Sequence, residues 1–294
     1  MKEYEVKTIK EIFDRIREIN SNNDFWFRGQ NNVSYRLSSS SYRHVYLIAD
    51  QFGRPFKPTE VHSFNTHGGH VFIPSDIYYS LYIKKLQQHK INEKKRDRLA
   101  NLTIAQHYGL PTPLLDWSTD ATVGLYFALD GRSTKDDCAL FLLNPKLMND
   151  YFLIQQTVFS QAAVSRSLDA NQKTWGPIAF TAEKLSKRIC RQSGNFTLQG
   201  LNIWPIDFYQ KTDSFLIKIT IPSNVANQLD NYLKVIGISK DSIYVEADER
   251  EKVCNEVRKE SKKRLKQELK KLKQDWLNVP EKERNKIIPP SYLY

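Results

Sequence analysis

Along this chain the spacing of hydrophobic and polar positions changes period several times, and the changes mark its elements. Residues 7–19 set Ile9, Ile12, Phe13, Ile16 and Ile19 at helical intervals, which predicts an amphipathic helix ended by Ser21-Asn22-Asn23-Asp24. Phe25 to Gln30 follows as an aromatic strand whose end carries Arg28-Gly29-Gln30. Residues 31–75, rich in Ser, Asn, Gly and Tyr, read as loop with short elements, and residues 76–108 as two helices meeting at a charged junction, 92–98. Cys138–Leu143 and Phe215–Ile221 are buried strands closed by Asn144-Pro145 and Pro222, with a Gly-containing turn into a strand over 187–200. Val225–Leu233 reads as a helix and Ile243-Tyr244-Val245 as a short strand, while residues 146–182 show no clear period. The final long helix aligns Val253, Val257, Ser261, Leu265, Leu269, Leu272 and Trp276 in one stripe, a face for docking on the core or on another chain.

The chain is organised around Leu102–Leu129. A helix breaks at Gly109-Leu110-Pro111-Thr112-Pro113, because a residue before proline is pushed out of helical angles. The polar cluster Asp116-Trp117-Ser118-Thr119-Asp120 reads as a turn, after which an apolar helix resumes through Ala121, Val123, Leu125, Phe127 and Ala128. Asp116 is the expected N-cap of that helix, a role weighed equally with a catalytic one.

The simplest organisation is α+β: an N-terminal helix over 1–22, and one compact domain over 23–255 with a mixed β-sheet and flanking helices. A long basic C-terminal helix over 249–276 and a tail over 277–294 complete it. With 294 residues, 40% hydrophobic and 12% aromatic, the chain has material for a substantial core. It has no apolar run of about 18 residues and no signal-peptide core in MKEYEVKTIK, so a cytoplasmic protein without a membrane partner is expected. Cys138, Cys190 and Cys254 lie far apart, as in a reducing compartment. His62, His67 and His70 cluster without a standard ligand spacing, so no metal is expected.

The net charge of +11 points to a polyanion such as DNA or RNA. It is concentrated: residues 249–276 carry eleven Lys/Arg against six Asp/Glu. A basic helix is commonly only a solvated face, and this one also offers a surface for a homo-oligomer or an antitoxin-type partner. Arg28, at the end of a strand buried by composition, needs an anion, either a protein carboxylate or a ligand phosphate.

Four stretches, in order, resemble the FRG-domain family, named for a Phe-Arg-Gly motif. They are Trp26-Phe27-Arg28-Gly29-Gln30; Ala105-Gln106-His107-Tyr108-Gly109-Leu110-Pro111-Thr112 with Leu114-Leu115-Asp116-Trp117-Ser118-Thr119-Asp120; Arg188-Ile189, Gln192, Gly194 and Phe196-Thr197; and Ile243-Tyr244-Val245-Glu246-Ala247-Asp248. Pro113 stands where the family pattern leads one to expect an arginine, and the closing acids are Glu246 and Asp248 rather than two aspartates.

The residues offer no Gly-rich phosphate loop, no nucleophile elbow and no Cys–His pair. Their order (strand arginine, Ser-Thr turn before a helix, late acid) is similar to that of ADP-ribosyltransferases, which implies an enzyme using NAD to modify a nucleic acid or protein, as a bacterial toxin or phage-defence component. In that mapping Arg28 grips the NAD phosphates, His107 or Tyr108 lines the nicotinamide side, Ser118 and Thr119 support the site, and Glu246 (or Asp248) is the catalytic acid. Gly29, Gln30, Thr112, Asp116, Trp117 and Gln192 complete the expected cofactor-binding set. Two alternatives stand beside it. One is a non-catalytic nucleic-acid or nucleotide-binding module whose tyrosines and phenylalanines stack on bases. The other is a nucleic-acid or nucleotide hydrolase using His107 with Asp116.

Overall fold

The computed structural model describes residues 1–43, 46–50, 68–71, 75–91, 96–169, 174, 176–200, 204–244 and 249–284. His62, His67, Val245, Glu246, Ala247 and Asp248, the end of the tail from residue 285 and most of the charged junction lie outside the described residues. The elements are β1 (Lys2–Glu5), α1 (Ile9–Ile19), β2 (Trp26–Gln30), β3 (Tyr46–Asp50), β4 (Gly68–Val71), α2 (Ser75–Gln88), α3 (Arg98–His107), β5 (Leu114–Ser118) and α4 (Ala121–Leu129). They continue as β6 (Cys138–Leu143), α5 (Pro145–Leu153), β7 (Phe159–Ser160), α6 (Gln161–Asp169), β8 (Ile178–Thr181), α7 (Lys187–Arg191) and β9 (Gly194–Leu198). β10 (Leu216–Ile221), α8 (Ser223–Val235), α9 (Lys240–Ile243), α10 (Glu249–Asn278) and α11 (Glu281–Arg284) close the chain.

The architecture is α+β, and its contacts gather into two units. The first comprises residues 1–37, 115–200 and 205–246; the second comprises 38–114, 201–204 and 247–294.

The first unit is built on an eight-stranded mixed sheet in the order β1-β10-β6-β2-β5-β9-β8-β7. β1 runs parallel to β10 and β7 parallel to β8, while β10–β6, β6–β2, β2–β5 and β8–β9 are antiparallel. Central β6 is buried at every position, as an apolar run without alternation predicts. One sheet face packs Phe27, Leu140, Leu142 and Ile219 against Ile12 and Ile16 of α1, Leu125 and Ala128 of α4, and Leu229 of α8. The other face gathers Trp26, Leu115, Trp117, Phe141, Leu143, Met148, Ile206 and Phe215.

Gly29 is where α4 comes closest to the sheet. A Cβ there would sit 2.1 Å from the Ala128 amide nitrogen and 2.2 Å from the Gly124 carbonyl oxygen. Gly124 mirrors this from the helix, since its Cβ would meet Phe27 Cβ at 2.8 Å. The glycine of the Phe-Arg-Gly motif is thus a packing requirement.

The second unit holds the β3–β4 pair and the helices α2, α3 and α10. α10 buries Val253, Cys254, Val257 and Ser261, the first part of the predicted stripe. The Cys254 thiol lies 3.8 Å from the Ala105 carbonyl oxygen of α3. Glu256 meets Lys85 and His89 of α2 at 3.4 and 3.1 Å, and Glu260 meets Lys85 at 3.3 Å.

Four expectations are corrected. Leu114–Ser118 is an interior strand of the sheet rather than part of a polar turn. The cap of α4 is Asp120, which accepts from Thr122 N, and not Asp116. Ile243 ends a short helix instead of opening a strand, and the helix read as ending at 276 runs to Asn278. No helix among the described residues is long and apolar enough to cross a membrane.

Candidate functional site

The expected site residues fall in both units, and each set is described within its own. In the first, antiparallel β2 and β5 set Phe27 opposite Ser118. The Arg28 guanidinium donates from Nη1 to the Asp116 carbonyl oxygen at 2.8 Å and lies 3.6 Å from the Asp116 carboxylate. Arg28 keeps 12% of its side chain exposed and Asp116 46%, so this tie is a half-wet ion pair. Asp116 thus supplies one protein carboxylate near the arginine. Gln30 is buried and reaches the Arg36 carbonyl at 3.4 Å. Trp117 is buried in the apolar face, its indole N–H donating to Thr197 Oγ1 at 3.1 Å. Ser118 Oγ accepts from Asp120 N at 2.9 Å, and Thr119 N donates to the Ser193 carbonyl at 3.1 Å. That bond brings the end of β5 beside Gln192, which is buried with an amide Nε2 that has no hydrogen-bond partner among the described residues.

In the second unit the central motif is a helix terminus. Tyr108 caps α3, Gly109 takes φ +87°, and the N–H groups of Gly109 and Leu110 return to the carbonyls of Gln106 and Ala105 at 2.9 and 3.1 Å. This is the Schellman arrangement: a glycine in the left-handed region, an apolar residue after it, and a proline that forbids continuation. Leu110 is that apolar residue, 1% exposed. Thr112, fully buried, knots the following loop. Its N–H donates to Ser40 Oγ at 3.0 Å, its carbonyl accepts from Ser41 N at 3.2 Å, and its hydroxyl donates to Gln106 Oε1. His107 is buried at the end of α3, and Tyr108 lies under the Arg250 guanidinium, 5.7 Å from ring centre to Cζ.

Beside this cap lies a groove of about 970 Å³. Ser40, Arg43, Tyr78, Gly109 and Pro111 line it with residues of α10, among them Arg258, Lys259, Lys262, Lys263 and Lys266. Among the described residues six cations and no carboxylate line it. Burial raises the Tyr78 hydroxyl above its usual pKa, so that group brings no negative charge either. Glu256 and Glu260, which neighbour these cations in sequence, are engaged elsewhere. Hydrogen bonds from His89 and Lys85 hold Glu256 below the ordinary carboxylate range, and those from Arg264 and Lys85 do the same for Glu260.

Among the six, only Arg43 lies outside the charged helix, and no single cation stood out in the sequence. The available signal was positional: at 3.6 residues per turn, Arg258, Lys262 and Lys266 share a face that Glu256 and Glu260 avoid. Among the described residues no group of three or more His, Cys, Asp or Glu is placed to hold a metal ion.

No curated protein and no solved structure matches the chain. A family model does match, over residues 23–137, a span that includes Phe27-Arg28-Gly29 and the Gly109–Thr112 loop but not Gln192 or the late acids. The close approach at Gly29 and the helix cap at Gly109 give that match its physical content, and the family whose model residues 23–137 match is the FRG domain.

Proposed function

We propose that this protein handles a phosphate-bearing ligand, a nucleotide or a nucleic acid, held in the groove beside Gly109 and Pro111. One observation carries the reading: six cations line a concave surface where no carboxylate stands among the described residues. Cations concentrated in a cleft focus the potential on an anion more strongly than the same charges dispersed. Titrating the protein with pyrophosphate, NAD and a short oligonucleotide while following thermal unfolding tests it. A ligand at a hundred times its Kd adds about 2.7 kcal/mol of stability, a plain rise in Tm. Arg258→Glu should abolish the rise. If no phosphate compound moves the transition, the proposal fails.

Transfer of ADP-ribose from NAD is a second reading, supported by the buried Gln192, whose amide nitrogen has no hydrogen-bond partner among the described residues and which precedes Ser193, the partner of Thr119. In that reaction the glycosidic bond to nicotinamide breaks, nicotinamide leaves, and a nucleophile of the acceptor, nucleic acid or protein, takes the sugar carbon and releases its proton. A toxin or phage-defence role belongs to this reading. It requires nicotinamide release that Gln192→Ala lowers without a loss of fold. Arg28→Ala is a poorer probe, because it also unties β2 from Asp116 on β5.

A further inference from the structure

Resting on the phosphate-handling reading, we infer that the ligand of this groove is a single nucleic-acid strand lying along α10, its backbone phosphates following Arg258, Lys262, Lys266 and, past the groove, Lys270. These four recur at every fourth position of one helix, so each step rises about 6 Å along the axis. A phosphodiester backbone is a polymer of single charges at a comparable interval, whereas a mononucleotide or dinucleotide gathers its charges in one place. Lys259 and Lys263 form a second file beside the first, and Arg43 faces them from the other wall.

The file does not stop with the groove. Lys270 is exposed on the next turn, where a compact ligand would have no use for it. Helical periodicity keeps the acids off this file. Glu256 and Glu260 pair with Lys85, His89 and Arg264, and positions 268 and 275, a Glu and an Asp, fall on the far side of the helix. A merely solvated basic face has no reason to sort its charges this way. The volume of about 970 Å³ matches a few nucleotides of one strand.

The test is fluorescence anisotropy with labelled oligothymidylate and oligouridylate in a ladder of lengths from a dinucleotide upward, with pyrophosphate, NAD and a duplex as competitors. The expected result, with either sugar, is affinity that rises with length beyond the dinucleotide. Full engagement of the six lining cations gives a slope of log K against log salt of about −4, at about 0.7 per neutralised phosphate. Lys270→Glu should weaken the longer oligonucleotides several-fold and leave pyrophosphate binding unchanged, with thermal unfolding confirming an intact fold. Affinity independent of length, or unchanged by Lys270→Glu, overturns the strand and leaves a compact nucleotide as ligand. A duplex that outcompetes the single strand also overturns it. Failure of every phosphate compound to bind removes the strand and the underlying reading together.

Discussion

At the scale of single residues, the Phe-Arg-Gly motif combines an apolar anchor, a polar tie and a contact distance. Phe27 enters the core, Arg28 reaches Asp116, and Gly29 lets α4 lie against the strand. Gly29→Ala forces a methyl into the backbone of α4, which cannot swing aside as a side chain can. The expected cost is at the upper end of overpacking, about 3 kcal/mol, and a urea titration of the variant should show the lower midpoint directly. The cysteines make a second prediction. Cys138 is buried, and its thiol is pushed up to about 12 mainly by that burial; Cys254 is buried as well, whereas Cys190 is exposed. A thiol reagent should therefore label one cysteine, Cys190, quickly in the native protein and reach Cys138 and Cys254 only on unfolding. The sequence told that Arg28 needs an anion, but it did not tell which one, because the partner stands 88 positions later.

Among the elements, legibility followed context. The helices α1, α3 and α8 and the strands β2, β6 and β10 carry their period in their own residues and were readable from it. Leu-Leu-Asp-Trp-Ser was not, because Asp and Ser resemble turn residues and only strand neighbours in the folded sheet reveal them as β5. The groove was half-readable: the excess of Lys and Arg is plain in the sequence, but its concavity comes from Arg43 and the Gly109 cap, which no local pattern connects to α10. The packing of α2 on α10 supports a pH prediction. Glu256 and Glu260 have folded pKa values below their unfolded ones, so their contribution is complete above the ordinary carboxylate range and is lost as pH falls through the depressed folded values. Amide exchange in α10, followed by mass spectrometry, should therefore quicken on acidification through that window beyond the intrinsic pH effect. Glu256→Gln should remove part of the response. The pairs are largely exposed, so added salt should blunt it too.

For the molecule as a whole, the net charge of +11 is a less informative figure than its arrangement. Solubility and long-range attraction follow from the total, but in the proposed reading it is the gathering of six cations, with no acid among the described lining residues, that directs a polyanion to one place. The order of strands carries a different consequence. β1 lies beside β10, far later in the chain, and Lys2 finds its partner only at Ile217. β6 likewise has β2 on one side from the start and waits for β10 on the other. A ribosome delivering these residues in order must hold one open edge of β6 until β10 has emerged. Over that interval the hydrophobic strand Cys138–Leu143 is the segment a chaperone would find, and a chain stopped short of β10 would aggregate rather than persist as a smaller version of the fold.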